Sequence, residues 1–262
     1  MDDHEDGPGI CGATVLRRMG RRQCTGGTLG SCMPVLLDQG SRSASGGGPR
    51  LPRYADRPYF SVCLAHRKGG VGKTTSTWYL GRELERVGRR VLLRDLDPQQ
   101  GLTDIVRDLG GKDGVFSRRL ALVQEGQPLP WIPDVELIDT PPSLDESLPG
   151  VNRADAIIIP AVPEHQAVRA LERMLRVIDR TRQEHPFLQP LGILPIRVRP
   201  RWALHTQFLA SIQELAAEFD YPVLPAVPES QDVLRYSLRG RYWKPVADRI
   251  LAAMARQAGA RA

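Results

Sequence analysis

Short apolar runs separated by longer amphipathic stretches organise the chain from about position 59 onward. The runs are Phe60–Ala65, Val91–Leu96, Val135–Ile138, Ala156–Val162, Leu191–Ile196 and Val223–Val227. Each is four to seven residues long with no alternation of polar positions, the pattern of strands buried on both faces. Between and after them, apolar positions recur at helical spacing over Thr74–Val87, Glu164–Arg180, Leu204–Phe219 and Val246–Ala258. Buried strands alternating with amphipathic helices predict an α/β fold, a mostly parallel sheet with helices on both faces. No internal repeat interrupts this order.

Residues 1–54 read differently. They hold 11 of the 25 glycines and three of the four cysteines, and no Phe, Trp, Tyr or Lys precedes Tyr54. Such a stretch buries too little apolar area to offset its ordering entropy, so a disordered, Gly-rich segment is expected there. Met19 and Met33 are alternative starts, and the segment need not belong to the native product. The folded domain is then expected over 55–262.

Composition narrows the class. No run of about 18 apolar residues is present, so no transmembrane helix is predicted. The acidic start Met1-Asp2-Asp3-His4-Glu5-Asp6 lacks the basic flank and apolar centre of a secretory signal, which points to a cytoplasmic protein. Cys11, Cys24, Cys32 and Cys63 match no metal-ligand spacing, and Cys63 reads as a small core residue. The net charge of +6 makes an anionic partner such as nucleic acid plausible. Of the 36 basic residues 32 are arginine, yet two of the four lysines, Lys68 and Lys73, fall in one glycine-rich loop. Lysine where arginine is otherwise the rule indicates a need for a compact, flexible point charge.

That loop is Lys68-Gly69-Gly70-Val71-Gly72-Lys73-Thr74-Thr75, between the first predicted strand and the first predicted helix. Glycines let successive backbone N–H groups turn inward toward phosphate oxygens, and the helix start adds its positive end. Lys73 is placed to neutralise β- and γ-phosphate charge, and the Thr74 hydroxyl to ligate Mg²⁺. The pattern predicts a P-loop NTPase that binds ATP with Mg²⁺. Two acidic strand ends follow. In Arg94-Asp95-Leu96-Asp97-Pro98, alternation turns Asp95 and Asp97 to the same side at the carboxyl end of a strand. The strand Val135–Ile138 ends in Asp139, the Walker B arrangement for a Mg²⁺ ligand.

Together these residues resemble the ParA/MinD family of deviant Walker ATPases, whose signature is Lys-Gly-Gly-x-Gly-Lys-[Thr/Ser]. Asp95-Leu96-Asp97-Pro98-Gln99 and Asp139-Thr140-Pro141-Pro142-Ser143 resemble the family's next two motifs, and Ala154–Pro160 and Val227-Pro228-Glu229-Ser230 resemble the partition branch. The resemblance spans about 59–245. It implies that Lys68 reaches across an ATP-dependent homodimer to the partner's nucleotide. It also implies that Asp97 positions or activates the attacking water, with Asp95 supporting the Mg²⁺ shell. The chain has a single asparagine, Asn152, so adenine is expected to be read by backbone groups and residues near Arg197 and Pro228. The family's activity is slow ATP hydrolysis stimulated by a ParB-like activator, coupled to non-specific duplex DNA binding in DNA segregation; such a protein is nucleoid-associated when ATP-bound.

Arg197, Arg199 and Arg201 alternate after a predicted strand, and Arg235, Arg239 and Arg241 form a second cluster. These six are candidate DNA-phosphate contacts, or else solvated or nucleotide-stacking arginines. One departure from the family stands out. Only 41 residues (98–138) separate Asp97 from Asp139, fewer than in ParA-like proteins, so an edge strand and part of the dimer surface are expected to be missing. Other readings are a MinD-like membrane-recruited regulator, which the Ala-rich tail Arg249–Arg256 argues against, and a non-hydrolysing scaffold. An iron–sulfur reductase is excluded because every cysteine precedes the loop.

Overall fold

The computed structural model describes residues 57–261, apart from 125, 126, 128, 143–149, 165 and 237–241, and these belong to one unit, Arg50–Ala262. The Gly-rich stretch 1–54, Ser143, Arg239 and Arg241 lie outside the described residues.

In chain order the elements are β1 (Phe60–Leu64), α1 (Lys73–Arg86), β2 (Val91–Asp95), α2 (Gly101–Asp108), β3 (Leu120–Leu122), β4 (Val135–Asp139), β5 (Ala156–Ala161), α3 (Ala167–Glu184), β6 (Gln189–Pro195), α4 (Ala203–Glu218), α5 (Gln231–Leu234) and α6 (Lys244–Arg261). All strand pairs are parallel and the sheet order is β3-β2-β4-β1-β5-β6. The residues of β1, β2, β4 and β5 are buried throughout, which is why their sequences show no polar alternation. One layer of core joins α1 and α6 to the sheet through Val62, Leu64, Leu80, Leu84, Trp243 and Ile250; the other joins α3 and α4 through Cys63, Ile157, Ile159, Leu171, Met174 and Ile212. Gly81 lets α1 approach closely, since a Cβ there would meet Leu93 at 2.9 Å.

Two expectations are corrected. Val223–Val227 is not a strand: Pro225 within it and Pro222 and Pro228 beside it supply no N–H, so the segment keeps only isolated bonds along β6, such as Leu224 N–H to the Ile193 carbonyl at 2.8 Å. The 98–138 region does carry an edge strand. β3 pairs with β2 from Val91↔Leu120 to Leu93↔Leu122, and α2 precedes it. That strand is three residues long.

Candidate functional site

The sheet order puts the carboxyl ends of β1, β4 and β2 side by side, and every candidate catalytic group leaves from one of them. In register Leu64 lies beside Asp139, and Asp139 beside Asp95. The loop Lys68–Thr75 therefore rises directly next to both carboxylates. Its shape depends on glycine. Gly70 has φ +71° and Gly72 φ +80°, and a Cβ on Gly72 would meet Ile196 Cδ1 at 2.0 Å. Gly72 is also the N-cap of α1 and offers no side-chain cap, which leaves the first N–H groups of the helix directed into the loop. Buried Val71 anchors the loop to the core.

Lys73 is 5% exposed, and its ammonium donates to the Lys68 carbonyl at 3.3 Å. Burial lowers its pKa, while the charges of Asp139 and Asp97 oppose that shift. Asp139 is fully buried, and neither carboxylate oxygen has a hydrogen bond of ordinary geometry. Burial pushes its pKa up to about 7, with the Thr74 hydroxyl and Lys73 pulling the other way and Asp95 and Asp97 adding to the rise. Orphaned carboxylate oxygens beside a threonine hydroxyl are hard oxygen donors of the kind a divalent cation takes, although no three acidic, His or Cys side chains among the described residues converge on one metal position. Asp139 and the Thr74 hydroxyl could hold Mg²⁺, with Asp95 in register beside Asp139, and the glycine-rich curl fits phosphate oxygens.

Asp95 and Asp97 differ in their surroundings. Asp95 Oδ2 accepts from the Thr103 backbone N–H and hydroxyl, both at 3.0 Å, and Oδ1 accepts from the Asp97 N–H at 3.1 Å. Its carboxylate thus ties the β2 end to α2. Asp97 is less buried, and among the described residues its carboxylate accepts from the Gln99 N–H alone, at 2.9 Å, leaving an oxygen for other work.

Three groups that sequence reasoning did not single out also shape the site. His66 Nδ1 accepts the Lys68 N–H at 2.9 Å, and burial, reinforced by Lys73, pushes its pKa down to about 4. Thr140 donates to the Leu64 carbonyl at 2.8 Å, joining the Asp139 turn to β1. Glu164 accepts the Lys68 ammonium and lies 3.6 Å from Arg197. In this single chain, Lys68 therefore folds onto its own Glu164. The position of His66, two residues before the signature lysine, was a usable signal; Glu164 had none.

Arg197, at φ +57°, and Pro228 come together beside Ile196 and the loop through the Val198↔Pro228 bridge. A cleft of about 200 Å³ opens there between Glu164, Arg197, Arg199, Trp202 and Glu229. Arg199 pairs with Glu229 and lies 4.1 Å from the Trp202 ring centre. Of the six candidate DNA arginines, Arg201 and Arg235 are exposed, while Arg197 and Arg199 are engaged by carboxylates.

A parallel sheet with a glycine loop at the carboxyl end of β1 and acidic ends on its neighbours defines a nucleotide-binding α/β domain of the P-loop class. Residues 62–242 match the CobQ/CobB/MinD/ParA nucleotide binding domain, and the chain belongs to that family. It is 30% identical over 227 residues to the maintenance of carboxysome distribution protein A of Synechococcus elongatus, across 65% of this chain and 86% of that protein. It is 29% identical over 192 residues to the chromosome-partitioning ATPase Soj of Thermus thermophilus, across 58% of this chain and 75% of that protein. Among solved structures, cobyrinic acid a,c-diamide synthase of Mycobacterium smegmatis with ADP and magnesium aligns at TM-score 0.57 and 26% identity, covering 72% of this chain and 93% of the other. Apo McdA of Cyanothece aligns at TM-score 0.60 and 22% identity over 75% of this chain and 99% of the other, a likeness of fold. The resemblance to ParA/MinD ATPases drawn from the loop is borne out.

Proposed function

We propose that the protein is a partition-type ATPase that binds ATP with Mg²⁺, hydrolyses it slowly and couples the nucleotide state to dimerisation and to non-specific duplex DNA binding. The observation that carries this is the buried Asp139 carboxylate, without hydrogen-bond partners, set beside Thr74 and Lys73. Bound Mg²⁺ would supply charge neutralisation at the β- and γ-phosphates. The loop N–H groups and the Lys73 ammonium hold the phosphates. Asp139 and the Thr74 hydroxyl hold the metal. Asp97, with a free carboxylate oxygen, orients the attacking water and accepts its proton. Asp95 positions Asp97 through its backbone N–H and fixes the start of α2 through Thr103. Lys68 leaves Glu164 to reach the nucleotide of a second copy, and a ParB-like protein accelerates turnover.

Relatives described as a chromosome-partitioning ATPase and as a carboxysome distribution protein support a positioning role, with the cargo being DNA or a protein assembly. A membrane-anchored regulator is less well supported. No helix among the described residues is long and apolar enough to cross a membrane. The last helix, α6, spends Val246, Ala247, Ile250 and Ala253 in the core rather than presenting them as an anchor. Retention on duplex DNA with ATP, ADP and no nucleotide, measured beside phosphate release, tests the reading. An ATP-dependent increment in retention together with slow release is expected. Phosphate release no faster than in buffer, or no gain in retention with ATP, would overturn the hydrolytic or the switching half respectively.

A further inference from the structure

The arginines of the cleft beside the phosphate loop, Arg197 and Arg199, are paired with Glu164 and Glu229, whereas a second group at the opposite end of the sheet is not paired among the described residues. Arg89 precedes β2, Arg118 and Arg119 precede β3, and the parallel register brings the two turns together. The Val91 N–H donates to the Arg119 carbonyl at 2.7 Å, and a Cβ on Gly88 would lie 3.7 Å from the Arg119 guanidinium. All three arginines are exposed, and among the described residues none of them has a carboxylate partner. Nearby acids are occupied: Glu83 pairs with Arg86 at 3.0 Å, Asp134 with Arg90 at 3.4 Å, and Glu85 with Arg82 and Ser117.

From this we infer a second DNA-binding surface, the Arg89/Arg118/Arg119 rim, which takes the phosphate backbone of duplex DNA without regard to nucleotide. Arginine forks suit phosphate oxygens, and three forks on neighbouring turns present a charge that no carboxylate among the described residues neutralises. The exposed apolar residues of these turns are Val87 and Val115, without the bulky anchors a membrane surface would need. Nucleotide independence follows from position. The rim lies at the amino ends of β2 and β3, and the phosphate loop at the carboxyl end of the sheet, so a dimer closing over the loop leaves the rim unchanged. The inference rests on duplex DNA as the partner and not on the ATP switch.

The test is fluorescence anisotropy of a labelled 30-base-pair duplex with the full chain and no nucleotide, titrated at 50 and 200 mM salt. Three phosphate contacts contribute about 2.7 to the slope of log affinity against log salt, so the wild type should weaken by at least about 40-fold across that range. The triple variant Arg89→Ala/Arg118→Ala/Arg119→Ala should lose that share of the slope, with ATP binding and thermal midpoint kept as controls for folding. Should the triple variant misfold, the pair Arg118→Ala/Arg119→Ala should lose about two-thirds as much. Nucleotide-free binding unchanged in the folded variants overturns the rim and leaves the ATP-switched reading intact. Rim-dependent binding with no increment from ATP overturns the switch and leaves the rim standing. Absence of nucleotide-free binding at 50 mM, or binding to phosphatidylglycerol vesicles in its place, overturns the rim as a DNA surface.

Discussion

Replacing Asp139 by Asn should make the nucleotide-free protein more stable while removing its response to Mg²⁺-ATP. In the folded chain the carboxyl pKa is raised to about 7 from 3.8, chiefly by burial. A raised carboxyl pKa means the folded state holds a proton that the unfolded state releases, so stability falls as pH climbs from 3.8 to about 7 and is flat above. At pH 8 the whole shift applies, about 4 kcal/mol at about 1.4 kcal/mol per pKa unit. The substituted amide remains buried without partners, which returns about 1–2 kcal/mol. A net gain of about 2–3 kcal/mol is left, or about 4–12 °C in melting temperature for a domain of this size. The gain should largely vanish at pH 5, where the wild-type carboxyl is mostly protonated. His66, held neutral with a pKa near 4, destabilises both proteins equally as pH drops below 6.5 and so cancels in the difference. Melting by differential scanning fluorimetry at pH 5 and 8, with and without Mg²⁺-ATP, reads both effects. A variant no more stable than wild type at pH 8, or one still stabilised normally by Mg²⁺-ATP, would refute the assignment of Asp139 as a strained metal ligand.

Lys73→Ala should weaken ATP binding by about 30- to 150-fold or more, since a hydrogen-bonded charge contributes about 2–3 kcal/mol; calorimetric affinity within a few-fold of wild type would contradict the phosphate-loop role. Asp97→Ala should keep ATP affinity within a few-fold while phosphate release drops by about 10²-fold or more, and failure to bind ATP would place Asp97 in the ligand shell instead. Gly72→Ala should cost about 1–3 kcal/mol in urea unfolding and impair nucleotide binding, because φ of +80° is strained for an L residue and the Ile196 side chain, whose Cδ1 lies 2.0 Å from an added Cβ, would have to shift. An undiminished denaturation midpoint in that variant would show that the loop relaxes freely.

Much of the fold could be read from the chain because parallel strands buried on both faces leave continuous apolar runs. β1, β2, β4, β5 and β6 were legible for that reason, and α1, α3, α4 and α6 from their spacing, each within a few residues. The exceptions are physical. β3 is three residues long, below what a run can signal, and α2 starts with Gly101 just after Pro98 and shows no long apolar period. Val223–Val227 looked like a strand because composition hides the missing proline donors. The loop and its acidic partners were legible because chemistry restricts the residue types at fixed spacing. Contacts between distant segments were not: nothing local marks Glu164 as the acceptor for Lys68, or Glu136 as the buried acceptor of Arg94 at 2.6 Å and Ser61 at 2.8 Å.

The two lysines of the loop are held in opposite ways, and the difference bears on which one can switch. Lys73 is enclosed, with its ammonium on a backbone carbonyl of the same loop and the charges of Asp139 and Asp97 acting on it, so moving it would strand charge in a dry site at a cost of several kcal/mol. Lys68 sits on the rim, and both it and Glu164 are more than two-fifths exposed. A surface pair of that kind contributes about 0–1 kcal/mol, less at physiological salt. Releasing Lys68 is therefore cheap, and a second nucleotide phosphate would outbid Glu164 for it. Glu164 loses little in the exchange, because Arg197 already stands 3.6 Å from its other oxygen. The buried half of the loop is built to stay, and the exposed half to change partners.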